Sequence, residues 1–309
     1  MYDLIIIGSG PAGLSAAIYG IRAGLDLLVL EGKPMSGGQI LNTYEVDNYL
    51  GLPGINGFDM GMKFKEHVDS MNVPCKTASV TSVIDQGQSK IVETVNGIKY
   101  EAKTLILATG AEYAMLGVPG EAEYRGKGVS YCATCDGAFF RGKDVAVVGG
   151  GDVAVEDAIY LARMCRKVWL IHRRDSLRAA KSLQKKLMDC GNIEILWSRT
   201  LQSVSGSDLV EKITLQRVAD QAEEELPVDG VFIAVGMYPN TAAFQDNIPC
   251  DESGYVMAGE DCITKVPGIF AAGDIRTKQV RQIITAVADG ACAVASVERY
   301  LNESYGNQH

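Results

Sequence analysis

A chain of 309 residues, 47% hydrophobic and 22% charged, has the make-up of a soluble globular protein with room for two or three cores. Its formal charge of −9 argues against nucleic acid as a main partner, and no apolar run approaches the roughly 18 residues that a membrane span requires. Met1-Tyr2-Asp3 leads straight into Leu4-Ile5-Ile6-Ile7 without the basic segment of a secretory signal, and the closing Tyr305-Gly306-Asn307-Gln308-His309 carries no lipidation box. Eight cysteines at irregular spacing are no disulfide scaffold and suit a reducing, cytoplasmic setting in which one close pair is catalytic.

Residues 3–7 are predicted as a buried strand, Gly8-Ser9-Gly10-Pro11-Ala12-Gly13 as a tight turn into a helix reaching residue 23, and residues 27–31 as a second buried strand. Each glycine has a mechanical task. Gly8 permits the turn, Gly10 lets backbone N–H groups approach a pyrophosphate, and Gly13 lets helix and strand pack closely. Glu31 ends the second strand where a ribose hydroxyl pair is read, so the stretch is a complete dinucleotide-binding unit.

Gly37-Gly38-Gln39-Ile40 and Glu45-Val46-Asp47-Asn48 follow as a glycine-rich loop and a polar turn. Residues 57–72 have helical periodicity with methionines that read as core packing, and residues 75–100 alternate as strands with a hairpin at Asn96-Gly97. Thr104 to Gly110 is a buried strand stopping at a glycine, another place where backbone meets a ligand. Gly117-Val118-Pro119-Gly120 is a breaker-rich connector.

Next comes Ser130-Tyr131-Cys132-Ala133-Thr134-Cys135-Asp136-Gly137. A Cys-x-x-Cys loop closes into a disulfide at little entropy cost, and its perturbed sulfurs can exchange with another disulfide near neutral pH. Asp136 supplies a proton donor or acceptor within reach of the second sulfur. The alternative, half of a zinc knuckle, needs a second pair or a Cys/His set. The other cysteines stand singly, and His67, His172 and His309 do not cluster.

A second dinucleotide unit follows: a strand over 144–148, the turn Gly149-Gly150-Gly151-Asp152-Val153-Ala154, a helix over 155–164 and a strand over 168–171. This strand ends not in an acid but in His172-Arg173-Arg174-Asp175-Ser176-Leu177-Arg178. An acid would repel a 2′-phosphate, whereas clustered guanidinium groups bind one, so the cluster selects NADP over NAD. Residues 193–227 alternate as strands, 230–236 is a buried strand ending at Gly236, and Pro239-Asn240 marks a second connector. A last strand, 268–274, ends in Gly273-Asp274 before an apolar helix over 281–301, an arrangement suited to a phosphate and a ribitol hydroxyl.

These motifs together resemble the low-molecular-weight thioredoxin reductases over essentially the whole length. The resemblance implies an α/β fold of two Rossmann-like dinucleotide-binding domains. The FAD domain (1–113 and 242–309) is discontinuous, and an NADPH domain (114–241) carrying the cysteine pair is inserted in it. It implies FAD contacts at Gly8, Ser9, Gly10, Pro11, Ala12, Gly13, Glu31, Gly38, Gln39, Asn48, Gly110, Gly273, Asp274, Arg281, Gln282 and Ile283, with Val80 meeting the adenine through its backbone. NADPH falls to Gly149, Gly150, Gly151, Asp152, Val153, Ala154, His172, Arg173, Arg174 and Arg178. Val153 stands where Ser or Thr is common in the family.

The same resemblance implies a homodimer and thioredoxin as partner, with no nucleic acid, membrane or metal. Electrons would pass from NADPH through FAD to the Cys132/Cys135 disulfide and on to thioredoxin. Cys132 would attack the partner, Cys135 would face the flavin, and Asp136 would protonate the leaving thiolate. The inserted domain would turn about connectors near residues 110–117 and 236–242. Three rivals remain. A dithiol oxidase of the same architecture would not need the arginines, a peroxiredoxin-reducing flavoprotein would carry an extra redox domain, and a non-catalytic sensor of the NADP pool would not need Cys135.

Overall fold

Leu4-Ile5-Ile6-Ile7 has no polar face, so it is satisfied only in a strand covered on both sides. In the computed structural model, which describes residues 1–43, 46 and 48–306, it forms the body of β1 (Tyr2–Ile7). Helix α1 (Pro11–Arg22) leads to β2 (Leu27–Glu31), which pairs with β1 in parallel, Leu4 opposite Leu27 and Ile7 opposite Leu30. The turn read at Glu45 and Asp47 and the terminal His309 lie outside the described residues.

Helix α2 (Gly57–Ser70) precedes β3 (Cys75–Thr77), β4 (Val80–Asp85), β5 (Lys90–Thr94) and β6 (Lys99–Leu107). The second hairpin arm and the strand expected at 104–110 prove to be this one strand, β6. It pairs along one edge with β1, while its other edge meets β5 antiparallel from Lys99 to Ala102 and a later strand in parallel from Leu105 to Leu107. Apolar residues alternate between its two sheet faces. Leu4, Ile6, Leu27 and Val29 enter one core, and Ile5, Ile7, Leu28 and Leu30 enter the other.

The chain divides into two units, Met1–Glu112 with Tyr238–His309, and Tyr113–Met237. β7 (Ala111–Tyr113) lies at the first crossing. The second unit holds β8 (Val129–Ser130), the short helix α3 (Ala133–Asp136), β9 (Asp144–Val148), α4 (Asp152–Ala162), β10 (Lys167–His172), α5 (Lys181–Met188) and β11 (Ile193–Trp197). An antiparallel trio, β12 (Arg199–Gly206), β13 (Val210–Arg217) and β14 (Glu223–Pro227), precedes β15 (Gly230–Ile233). Its main sheet is parallel throughout, in the order β11-β10-β9-β15-β8. β16 (Met237–Pro239) pairs with β7.

The helices of the second unit differ from the sequence reading in two ways. α4 starts at Asp152 rather than 155, because Gly149 to Gly151 suffice for the turn. α5 was not anticipated, since Lys181-Ser182-Leu183-Gln184-Lys185-Lys186-Leu187-Met188 is only eight residues long, has no side-chain cap and fully buries Leu187 alone, although Leu183 and Leu187 share one helix face.

β17 (Ile269–Ala271) and α6 (Ile283–Tyr305) complete the first unit. α6 packs on α1 at Gly290, where a Cβ would stand 2.3 Å from the Ala12 carbonyl oxygen. One residue earlier, Asp289 turns its carboxylate onto the segment after β17. Oδ2 accepts from Gly273 N–H (2.8 Å), Arg276 Nε (2.8 Å) and Lys278 Nζ (2.9 Å), and Oδ1 accepts from Arg276 Nη2 (2.8 Å). Burial works to raise this carboxyl's pKa, but the Arg276 and Lys278 bonds, the Lys278 charge and the Gly273 N–H outweigh it and hold it below its ordinary value.

A depressed folded-state pKa contributes stability that is full above the unfolded value near 3.8 and is lost as pH falls through the folded value. Replacing Asp289 by Asn removes the charge that pairs two buried cations and leaves Arg276 only the exposed Glu260 at 3.5 Å, which costs about 3–5 kcal/mol. Thermal unfolding at pH 7 should therefore show a lowered midpoint for Asp289→Asn, and the gap to the unsubstituted protein should narrow in acid below the ordinary carboxylate range.

Candidate active site: a dithiol loop and two glycine cradles

Cys132 and Cys135 bracket the first turn of α3 and are joined as a disulfide, with Cα atoms 5.3 Å apart. Both are half-buried. Ser130, at the end of β8, organises the loop. Its hydroxyl donates to Asp136 Oδ2 at 2.5 Å, and its oxygen accepts the Cys132 N–H at 3.1 Å. Burial pushes the Asp136 carboxyl above its ordinary pKa, and the Ser130 bond only partly opposes this. The group thus keeps a proton at higher pH than a surface aspartate, as a proton donor to a departing thiolate must.

Ser130 lay inside the quoted motif without a role, because nothing in its spacing marks it as Asp136's partner. A second anchor was also missed. Glu121, almost fully buried, accepts from the N–H groups of Leu116 (3.0 Å), Gly117 (2.6 Å) and Val118 (3.3 Å) and from the Tyr131 hydroxyl (2.8 Å). Tyr131, next to Cys132, also stacks on Tyr113 with ring centroids 5.4 Å apart. Among the described residues no cluster of His, Cys, Asp or Glu could hold a metal.

In the first unit the glycines bring backbone against backbone. A Cβ on Gly8 (φ +104°) would lie 2.4 Å from the Ala108 carbonyl oxygen, and one on Gly13 would lie 1.9 Å from the Gly8 carbonyl oxygen. Gly10 and Gly38 face each other closely, since a Cβ on Gly38 would stand 3.2 Å from Gly10 Cα. Glu31 closes the turn by accepting from Ser9 N–H and Oγ (both 2.7 Å) and from Lys33 N–H (2.8 Å). Pro11 and Ala12 open α1, and Gln39 lies in a 3₁₀ turn over Gly38–Asn42.

The C-terminal part of the unit supplies the remaining groups. Gly273 (φ +82°) admits no Cβ beside Ala12, and Asp274 follows it with Oδ1 buried and without a hydrogen-bond partner. Burial raises the Asp274 pKa against the opposing charges of Lys278 and Arg281. Arg281 lies over the Tyr255 ring at 4.1 Å with its Nε buried and unpartnered. Gln282, beside Ile283 at the start of α6, accepts at Oε1 from the Asn48 amide at 2.9 Å, joining two predicted site residues far apart in sequence. Val80 opens β4. Gly110 (φ +69°) accepts the Asn240 N–H at 2.9 Å through its carbonyl. Unpartnered polar atoms at 274 and 281 cost about 1–3 kcal/mol each when buried, so the cradle fits a ligand that offers both a donor and an acceptor.

In the second unit Gly149 (φ +159°) turns out of β9 against the Ala234 carbonyl, with Ala154 packed beneath it. Gly151 caps α4 and Val153 is exposed on its first turn. Arg173, Arg174 and Arg178 are exposed, and no ion pair engages them among the described residues. His172 differs from them. It is buried against Gly150 with Nε2 unpartnered. Burial, joined by the Arg178 and Arg174 charges, lowers its pKa against the pull of the Ser176 and Gly149 carbonyls.

Comparison with known proteins gives the family. Residues 2–290 match the family described as pyridine nucleotide-disulphide oxidoreductase. The thioredoxin reductase of Bacillus subtilis is 44% identical over 304 residues, covering 98% of this chain and 96% of the relative. That of Listeria monocytogenes is 44% identical over 306 residues, covering 98% and 95%. The crystal structure of thioredoxin reductase from Streptococcus pyogenes superposes with a TM-score of 0.94 at 44% identity, covering 98% of this chain and 99% of that one.

The chain therefore belongs to the pyridine nucleotide-disulphide oxidoreductases. Within them it stands with the thioredoxin reductases, flavoproteins that use FAD and NADPH. Since a Cβ on Gly13 meets fixed backbone, Gly13→Ala should cost about 1–3 kcal/mol by overpacking. The purified variant should hold less than the full complement of flavin by absorbance and melt at a lower temperature.

Proposed function

We propose that the chain is a thioredoxin-disulfide reductase in which the first unit holds FAD and the second holds NADPH. The observation that carries this is a disulfide with a half-buried carboxyl of raised pKa behind it, set in a unit whose glycine turn leads to three exposed arginines. Bound FAD and NADPH supply the electron pair that opens the Cys132–Cys135 bond. The backbone at Gly8 to Gly13, with Glu31, receives the FAD pyrophosphate and ribose. Asp274, Arg281 and Gln282 take its ribityl and ring side, and Arg173, Arg174 and Arg178 take the 2′-phosphate of NADPH.

The reduced pair then acts by thiol–disulfide exchange. Cys132 thiolate attacks one sulfur of the thioredoxin disulfide, and the departing thiolate takes a proton from Asp136. Cys135 next displaces the second thioredoxin thiolate from the mixed disulfide and restores the Cys132–Cys135 bond. Two thiols leave on the partner for each NADPH and proton consumed. Ser130 holds Asp136 in place, and burial raises its pKa, which favours the proton-bearing form. Exposed Cys75 and Cys292 support a reducing compartment such as the cytoplasm, and the family resemblance supports a homodimer.

Stopped-flow reduction of the yellow protein by NADPH against NADH, followed by a disulfide assay with thioredoxin, tests the reading. Rapid bleaching by NADPH and turnover with thioredoxin are expected; failure of either overturns it. Asp136→Asn should slow exchange with thioredoxin by about 10²–10⁴-fold. The loss of rate as pH rises through the raised Asp136 pKa, present in the unsubstituted enzyme, should vanish in the variant.

A further inference from the structure

Asp152 begins α4 immediately behind the glycine turn, where a carboxylate favours the helix end but opposes any second anion drawn to it. Its Oδ1 accepts the N–H of Ala180 at 2.7 Å, across 28 residues of sequence. Ala180 ends the arginine-bearing segment and directly precedes α5. Two more contacts lie along the same seam. Arg178 N–H donates to the Gly150 carbonyl at 2.8 Å. The buried His172 ring lies so close under Gly150 that a Cβ there would stand 2.2 Å from its Cε1. Segment 172–180 is thereby fastened to the turn at Gly150 and again at Asp152, with Arg173, Arg174 and Arg178 carried between or beside the fastenings.

We propose that Asp152 is a positioning residue, which fixes the spacing between the glycine turn and the three arginines and so sets the preference for a 2′-phosphorylated dinucleotide. The inference rests on the reading of residues 149–178 as the NADPH site. Recognition of two phosphate groups by one ligand requires their binding sites to be held at one separation, because a mobile arginine loop spends binding energy on its own ordering. The carboxylate serves as an acceptor for Ala180 N–H rather than as a contact for the ligand. Its charge should weaken dinucleotide binding in general, and its hydrogen bond should strengthen discrimination.

These two consequences separate with two substitutions. Asp152→Asn keeps the Oδ1 acceptor and removes the charge. Asp152→Ala removes both. Binding of NADP⁺ and NAD⁺ to the flavin-loaded protein is measured by calorimetry, with flavin content and thermal midpoint as checks on folding. Loss of one such hydrogen bond predicts that Asp152→Ala lowers the NADP⁺/NAD⁺ affinity ratio about fivefold. Asp152→Asn should hold the ratio within about twofold and bind both dinucleotides at least as tightly as the unsubstituted protein. An unchanged ratio in Asp152→Ala, an equal loss for both ligands, or a ratio lowered as much in Asp152→Asn overturns the positioning role. The double variant Arg173→Ala/Arg174→Ala separates the two levels. If its ratio stays high, the NADPH-site reading itself fails. If its ratio collapses while that of Asp152→Ala does not, only the positioning role is refuted.

Discussion

At both dinucleotide turns the chain passes so near itself that a single extra carbon has nowhere to go. The Gly8 carbonyl oxygen occupies the place of a Gly13 side chain, and the His172 ring occupies that of Gly150. This closeness brings backbone N–H groups to the ends of parallel strands in two sheets, and the other features of the sites are arranged around it. Side chains that close the turns also bond the protein itself. Glu31 bonds Ser9 and Lys33, and Asp152 bonds Ala180. Neighbours such as Asp274, Arg281 and His172 keep a polar atom buried and unpartnered.

Three carboxyls show how the same chemical group is set to different work by its surroundings. Asp289 is buried but meets two cations and a backbone N–H, which hold it ionised as a structural clamp on Gly273. Asp136 has only a serine hydroxyl to oppose burial, so burial dominates and its pKa is raised beside the disulfide. Asp274 lies between these cases, with Lys278 and Arg281 near enough to act on it but too few bonds to reverse the effect of burial. The clamp at Asp289 and the group at Asp274 share one segment, so the stability of the first unit and the shape of its cradle are linked through Gly273.

Local patterning made much of this legible. The strand–turn–helix–strand units, the cysteine pair and the arginine run are short-range signals, in which each residue's task follows from neighbours a few positions away. The partners of those residues were not legible. Nothing near Ser130 marks it as the group that orients Asp136, and α5 has too few buried apolar residues to announce a helix. An acid at 289 in the apolar first half of α6 was a signal that could have been noticed, but its partners Arg276 and Lys278 are brought to it only by the turn after β17.

By itself the sequence determined the two strand–turn–helix–strand units, the close cysteine pair and the contrast between an acid after one unit and an arginine run after the other, because turn geometry and local charge are properties of contiguous residues. Tertiary structure alone decided which polar groups are satisfied and which are left for a ligand, that Asn48 meets Gln282, and that His172 turns inward while Arg173 and Arg174 face water. Those outcomes depend on burial and on hydrogen bonds between residues tens to hundreds of positions apart, and a linear pattern carries no record of either.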